Sequence, residues 1–378
     1  MRVVQICPYF HPHVGGVESH VKDISLELSR RGHEVTVVTS RHGSLPSRDE
    51  VVGVTVRRSK VLLTLFRAPI TPSLDEELVG IPGDLYHSHS PPPVTSYFAA
   101  KASGRTGVPL VVTYHCDLEI PGPFGPLITG LYRRTFEAYT MRQASGVIAT
   151  TRTYAATSRS VWRLDPAVIP NAVDVHRFNP KVLGEDVRER HGLETGEPLV
   201  LFVGRLVRHK GIEYLLQALR QVEARLLIVG SGDYVPELER LVSYLGLEGR
   251  VVFAGRISSE ELPAYYAACD LFVLPSVSRL EAFGIAALEA MASAKPVVVS
   301  DVPGVREVIA DGVEGLLAEP MNSEDLAAKI RVLLSDASRM KKMGRRGRRK
   351  VEDAFTVEKV VDRLEEFYTR VQSTTSRG

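Results

Sequence analysis

Cysteine is scarce. Only Cys7, Cys116 and Cys269 occur in 378 residues, far apart and without a Cys-x-x-Cys pair. That excludes a disulfide framework and points to a reducing compartment. Charge of one sign is lacking too. A formal net charge of +2 gives no electrostatic case for a nucleic-acid partner. Long hydrophobic runs are absent, since no stretch approaches the ~18 uncharged apolar residues of a membrane span. The opening apolar run is too short for a signal peptide, because Pro8 and His11 interrupt it at once. A cytoplasmic protein is therefore expected, with any membrane work done from the surface of the inner face. Hydrophobic residues make up 44% and charged residues 24%, which excludes a disordered or fibrous chain.

What is present is alternation. Short β-branched runs read as strands covered on both faces: Val3–Cys7, Val35–Thr39, Val51–Arg57, Leu110–Tyr114, Leu199–Val203, Leu226–Val229, Leu271–Leu274 and Val297–Ser300. Helical patterns lie between them, among them Val17–Arg31, Ile212–Leu219, Val235–Leu245, Glu260–Ala268 and Gly284–Ala292. The expected fold is α/β, with two Rossmann-like doubly wound domains facing across a cleft and helices at the C-terminus. The first domain is expected over residues 1–170 and the second over 171–355. A helix over 356–378 is expected to pack back on the first. The Pro- and Asn-rich Val168–Pro180 stretch reads as the connector.

Several segments stand where strands give way to helices. Gly15-Gly16 lets backbone N–H groups approach an anion, although an ordinary tight loop has the same composition. Gly204-Arg205-Leu-Val-Arg208-His209-Lys210-Gly211 offers a guanidinium fork and a mobile ammonium to a diphosphate; a solvated basic loop would read alike. Gly230-Ser-Gly232 and Gly255-Arg256-Ile257 follow two further strands on the same rim. Glu281-Ala-Phe-Gly284 precedes a helix whose N-terminus can receive a diphosphate, and Glu289 sits about one and a half turns in. A lone carboxylate in that apolar segment needs a partner. His115 ends a strand and can donate to a sugar hydroxyl or act on a proton, or simply pack. His87 and His89 alternate on one strand face, but a metal needs three or more converging ligands, and no metal is expected.

Taken together, these features resemble the retaining glycosyltransferases of family 4, of GT-B fold. The matching residues are Gly15-Gly16-Val-Glu18, Arg31-Gly-His33, Asp84-Leu-Tyr-His-Ser-His89, Asn171-Ala-Val-Asp174, Gly204-Arg205 with Lys210-Gly211, and Glu281-x₇-Glu289. Ala172 departs from the family's usual glycine. The resemblance implies a nucleotide-diphosphate sugar held mainly by the second domain and an acceptor held by the first. Carried over by position, Arg205 and Lys210 bind the diphosphate, and Glu281 and His115 contact the donor sugar at the reacting centre. Gly15, Gly16, Ala282, Phe283, Gly284 and Ile285 lie along the donor. Glu289 binds the ribose, and the base rests near Arg256 and Ile257. Glu18 and His89 fall on the acceptor side.

The activity so implied is a hexosyltransferase with no cofactor and no metal, in which electrostatics stabilise the leaving diphosphate. Front-face transfer would retain configuration. The acceptor would be a hydroxyl on a carbohydrate or a lipid-linked glycan. Alternatives on the same fold are a nucleotide-sugar epimerase and a non-catalytic sugar-nucleotide-binding protein. The basic and apolar segment Arg57–Arg67 could rest on an anionic membrane, or be an ordinary strand end. The basic run Lys341–Lys350 reads as a solvated helix face.

Overall fold

A computed structural model describes residues 1–13, 15–65, 68–91, 93–120, 122–194 and 196–375. The β-branched runs form two sheets, each in its own compact unit. One unit comprises Met1–Ala172 with Val357–Gly378, the other Val173–Thr356.

Unit 1 holds β1 (Arg2–Ile6), β2 (Glu34–Ser40), β3 (Arg48–Val51), β4 (Val54–Ser59), β5 (Leu63–Leu65), β6 (Ala68–Ile70), β7 (Leu85–Ser90), β8 (Leu110–Tyr114), β9 (Gly146–Ala149) and β10 (Ala167–Val168). Its main sheet runs β10-β9-β8-β7-β1-β2-β4-β3, and every pair is parallel except β3 with β4. The expected strand Val51–Arg57 is divided in two. Val52 and Gly53 take φ of 47° and 79°, and this left-handed pair turns the chain into an antiparallel hairpin. The helices are α1 (Gly16–Arg30), α2 (Leu74–Val79), α3 (Pro93–Thr106), α4 (Gly125–Tyr132), α5 (Ala138–Gln143) and α6 (Arg152–Thr157). Helix α1 stops at a Schellman motif. Gly32 is left-handed at φ 87°, and the His33 N–H donates to the Leu28 carbonyl at 3.1 Å.

Unit 2 holds β11 (Leu199–Val203), β12 (Arg225–Val229), β13 (Val251–Gly255), β14 (Leu271–Leu274), β15 (Val297–Ser300) and β16 (Gly315–Ala318), ordered β13-β12-β11-β14-β15-β16 and wholly parallel. Its helices are α7 (Glu185–Arg190), α8 (Ile212–Leu219), α9 (Val235–Leu245), α10 (Leu262–Ala268), α11 (Ile285–Ala292), α12 (Ser323–Leu334) and α13 (Ala337–Ala354). Every residue of β11, β14 and β15 is buried, as continuous apolar runs demand.

The last helix, α14 (Val357–Thr375), belongs to unit 1. Val360, Val361, Leu364, Phe367, Tyr368 and Val371 enter its core. Arg31 pairs with Asp362 at 2.6 Å and Glu365 at 2.5 Å, and His33 Nε2 meets Glu365 at 2.7 Å.

Both sheets have a topological switch point, where strand order reverses: between β1 and β7 in unit 1, and between β11 and β14 in unit 2. Open α/β sheets bind ligands outside the carboxyl ends of strands at such points.

Candidate active site

In unit 2 the loops leaving β11 and β14 meet at the switch point. Because the two strands are parallel neighbours, their following loops share one edge. The Val277 N–H donates to the His209 carbonyl at 2.9 Å and ties the loops together. Lys210 Nζ, at the end of a 3₁₀ turn (Arg208–Lys210), donates to Glu281 Oε2 across a separation of 71 residues. Ser276 Oγ, fully buried, donates to the same oxygen at 3.0 Å. Burial alone would raise the Glu281 carboxyl, but Lys210 and Ser276 outweigh it and hold the group below its ordinary value. Glu281 is therefore an anion in a buried site.

The loop is less basic than its sequence reads. Burial, then the charge of Lys210, pulls His209 down to about 4, so it is neutral at physiological pH. Arg208 lies over the Tyr234 ring at 4.7 Å from its centroid. Arg205 is exposed on the same loop.

Helix α11 begins at Ile285 rather than Gly284. Gly284 is left-handed at φ 83°, and a Cβ there would lie 2.6 Å from Val305. The helix has no side-chain cap, so its first N–H groups are left to a ligand or solvent. Ala282 and Phe283 are buried, Phe283 in the unit 2 core, and the Ala282 backbone packs so closely on Gly304 that a Cβ on that glycine would lie 2.3 Å from the Ala282 carbonyl oxygen. Glu289 is half-buried, and the Tyr266 hydroxyl donates to its Oε2 at 2.6 Å.

The glycine loops line the same edge. Gly204 N donates to Val229 O at 3.0 Å, and Gly230 N donates to Gly255 O at 2.8 Å. A Cβ on Gly230 (φ 137°) would sit 1.9 Å from the Gly204 carbonyl, so the adjoining loops can touch only through a glycine. Arg256 is exposed immediately after β13, and Ile257 packs partly on the core.

In unit 1 the corresponding edge gathers histidines. Gly15 is extended and precedes α1. Glu18 curls back so closely that a Cβ on Gly15 would lie 2.3 Å from its carboxylate. Glu18 also lies 3.6 Å from His13. His20, His87, His89 and His115 are all buried. His89 Nδ1 is 3.1 Å from His115 Nε2, and the His115 N–H donates to Ser90 O at 2.7 Å. Burial lowers all four rings, His20 to about 4 and His87 to about 3, and holds them neutral. His89 is wholly buried, with one nitrogen against His115 and the other against Gln5 Oε1 at 3.0 Å. Among the described residues, no group of three or more His, Cys, Asp or Glu is placed to hold a metal ion.

Sequence reasoning missed Ser276 and Tyr266, the partners of the two glutamates, and Asp117 as an anchor. Asp117 accepts from Ser158 Oγ at 2.6 Å and from the Arg159 N–H at 3.2 Å, which fixes the loop after His115. Ser276 was findable, since it stands just beyond the carboxyl end of β14. Nothing local marks Tyr266. Ala172 shows no left-handed φ, and its N–H donates to His20 Nδ1 at 3.3 Å, so the backbone requires no glycine there.

Two family models match the chain. One, described as Glycosyl transferases group 1, covers residues 184–350; the other, Glycosyltransferase Family 4, covers residues 14–177. Similar proteins include a glycosyltransferase of Methanocaldococcus jannaschii, 32% identical over 89% of this chain and 90% of its own. Another is the GDP-mannose-dependent alpha-(1-6)-phosphatidylinositol monomannoside mannosyltransferase of Mycolicibacterium smegmatis, 30% identical over 90% and 91%. Among solved structures, sucrose-phosphate synthase of Thermosynechococcus elongatus matches with a TM-score of 0.83 at 25% identity, over 99% of this chain and 100% of that one. HepE of Anabaena in complex with UDP matches at 0.78 and 25% identity, over 98% and 100%.

Proposed function

This chain belongs to the glycosyltransferases of family 4, with the GT-B fold, and we propose that it moves a hexosyl unit from a nucleotide-diphosphate sugar to a hydroxyl acceptor with retention of configuration. The donor is of the GDP-mannose, UDP-glucose or UDP-N-acetylglucosamine type. The observation that carries this reading is the Lys210–Glu281–Ser276 group at the unit 2 switch point, beside the uncapped start of α11. The UDP complex of HepE supports a nucleotide donor.

In this reading the diphosphate lies on the α11 N-terminus with Lys210 and Arg205, which meet the negative charge that grows as the anomeric C–O bond breaks. Glu281 accepts from a sugar hydroxyl, and Glu289 accepts from the ribose. His115 contacts the donor sugar, and Gly16 the diphosphate. The acceptor oxygen forms the new glycosidic bond on the face the phosphate leaves, and its proton passes to a phosphate oxygen.

The acceptor is proposed to be lipid-bearing, met by a protein resting on the cytoplasmic face of an anionic membrane. The M. smegmatis relative's name supports this. So does the segment around α4, where Phe124, just before the helix, and Leu127 and Leu131 within it expose 71%, 73% and 64% of their surface, with the basic Arg133 and Arg134 just beyond. In the Arg57–Arg67 segment, Leu62, Leu63 and Leu65 are exposed, while Phe66 and Arg67 lie outside the described residues. Among the described residues no helix is long and apolar enough to cross a membrane.

A thermal-shift screen of nucleotide-sugars identifies the donor, because a ligand of the native state raises the melting temperature. Transfer is then measured with that donor and acceptor extracts. Glu281→Gln, which keeps an acceptor for Ser276, is expected to lower transfer ~10²–10³-fold. Wild-type turnover by this variant would refute the site, and donor altered without acceptor would mark an epimerase.

A further inference from the structure

We propose that a buried, one-directional hydrogen-bond chain from the C-terminal helix through Tyr368, Gln5 and His89 fixes the tautomer of His115, directing its Nε2 proton inward and leaving its Nδ1 lone pair open to accept from a hydroxyl of the donor sugar.

The chain is continuous. Thr113 Oγ1 lies 2.7 Å from His87 Nε2, and His87 Nδ1 lies 2.6 Å from the Tyr368 hydroxyl. Gln5 Nε2 donates to that hydroxyl oxygen at 3.4 Å. His89 Nε2 lies 3.0 Å from Gln5 Oε1, and His89 Nδ1 lies 3.1 Å from His115 Nε2. Gln5, His87, His89 and Tyr368 have no exposed surface.

Neutral imidazole has one donor nitrogen and one acceptor nitrogen, so each link dictates the next. A phenol is a better proton donor than an imidazole N–H, and 2.6 Å is the length of a hydroxyl-donated bond. Tyr368 therefore donates to His87 Nδ1. Its oxygen accepts from the Gln5 amide N–H, which turns the amide carbonyl toward His89. A carbonyl only accepts, so His89 carries its proton on Nε2 and is bare at Nδ1. His115 must then donate from Nε2, and its Nδ1 is bare. Burial keeps the rings neutral, so neither His89 nor His115 has a second proton to spend. Nδ1 of His115 makes no hydrogen bond among the described residues. Of the roles its position in the sequence left open, the His115 side chain is thus not a donor to a sugar hydroxyl but an acceptor. Gln5, His89 and Tyr368 are positioning residues.

The substrate consequence rests on the proposed role of His115 at the sugar; the tautomer does not. Long-range ¹⁵N–¹H correlation spectra of histidine side chains in the wild-type protein test the chain directly. The expected result is Nε2–H with bare Nδ1 at both His89 and His115. A proton on His115 Nδ1 would overturn the proposal. In Tyr368→Phe the buried ring remains but the amide of Gln5 is free to turn over. A mixed His115 tautomer is expected, with kcat lower by about tenfold, one hydrogen bond's worth. An unchanged His115 signature in both Tyr368→Phe and Gln5→Leu would also overturn it. Transfer by His115→Ala separates the two readings. Wild-type transfer there removes the sugar contact, whereas loss of transfer there, together with a wild-type spectrum showing His115 protonated at Nδ1, removes the chain alone.

Discussion

Glu281 stays charged although buried, because Lys210 and Ser276 both address one of its oxygens. Such a pair is costly to halve, since a lone buried charge keeps its desolvation penalty without its partner. Lys210→Met is therefore expected to lose stability as well as transfer, by ~3–5 kcal/mol. Adding Glu281→Gln should restore most of that stability but none of the transfer. Urea denaturation of the single and double variants checks this, and equal instability in both would show that the pair is not what holds the loops. Neither the pairing nor the Ser276 bond was legible in the chain, because the partners belong to different loops. The chemical types and their place after strands were legible, and they sufficed to nominate Lys210 and Glu281.

At the scale of elements, some of the motif is structural. Arg31-Gly32-His33 looks like a signature of activity, yet Gly32 stops α1 and the flanking side chains clasp acids of α14. Asp174 likewise caps a turn, accepting from the His176 and Arg177 N–H groups at 2.9 and 3.0 Å. Helix α4 behaves the opposite way. Phe124, Leu127, Ile128 and Leu131 recur at helical spacing, a pattern that ordinarily faces a core, but here all are exposed. Leu127→Asp with Leu131→Asp is expected to abolish co-sedimentation with anionic vesicles at low salt while leaving the melting temperature within a few degrees. Undiminished binding by this variant would take α4 out of the membrane surface.

The whole molecule carries an asymmetry in its response to acid. Unit 1 buries His20, His87, His89 and His115 as neutral rings. In the unfolded chain a histidine titrates near 6.5, and in the native state His20 and His87 titrate at about 4 and about 3. Below pH 6.5 the unfolded state binds protons first, so stability present at neutral pH is lost as pH falls toward the native values. The loss approaches a few kcal/mol per ring, at about 1.4 kcal/mol per pKa unit, a large share of typical stability. The urea midpoint is expected to drop between pH 7 and pH 5, with amide protection lost first in the β1, β7 and β8 strands. A midpoint unchanged over that range would mean the rings are not buried neutral.

Much of the architecture was decided locally. Unbroken β-branched runs can satisfy their faces only inside parallel sheets, and glycine placed after a helical pattern ends it; both signals lie within a few residues. Doubly wound sheets, the βα rims and the identity of the anionic and cationic side chains on them follow from such signals. Three features needed the folded chain. The division of Val51–Arg57 turned on a left-handed Val52, which no propensity marks. The partners of Glu281 and Glu289 are set by which strands and helices become neighbours. The His115 tautomer depends on Tyr368, brought beside Gln5 from 363 residues away. Local sequence determines what a segment can offer, but donors find acceptors through sheet order and helix return, which are properties of the whole fold.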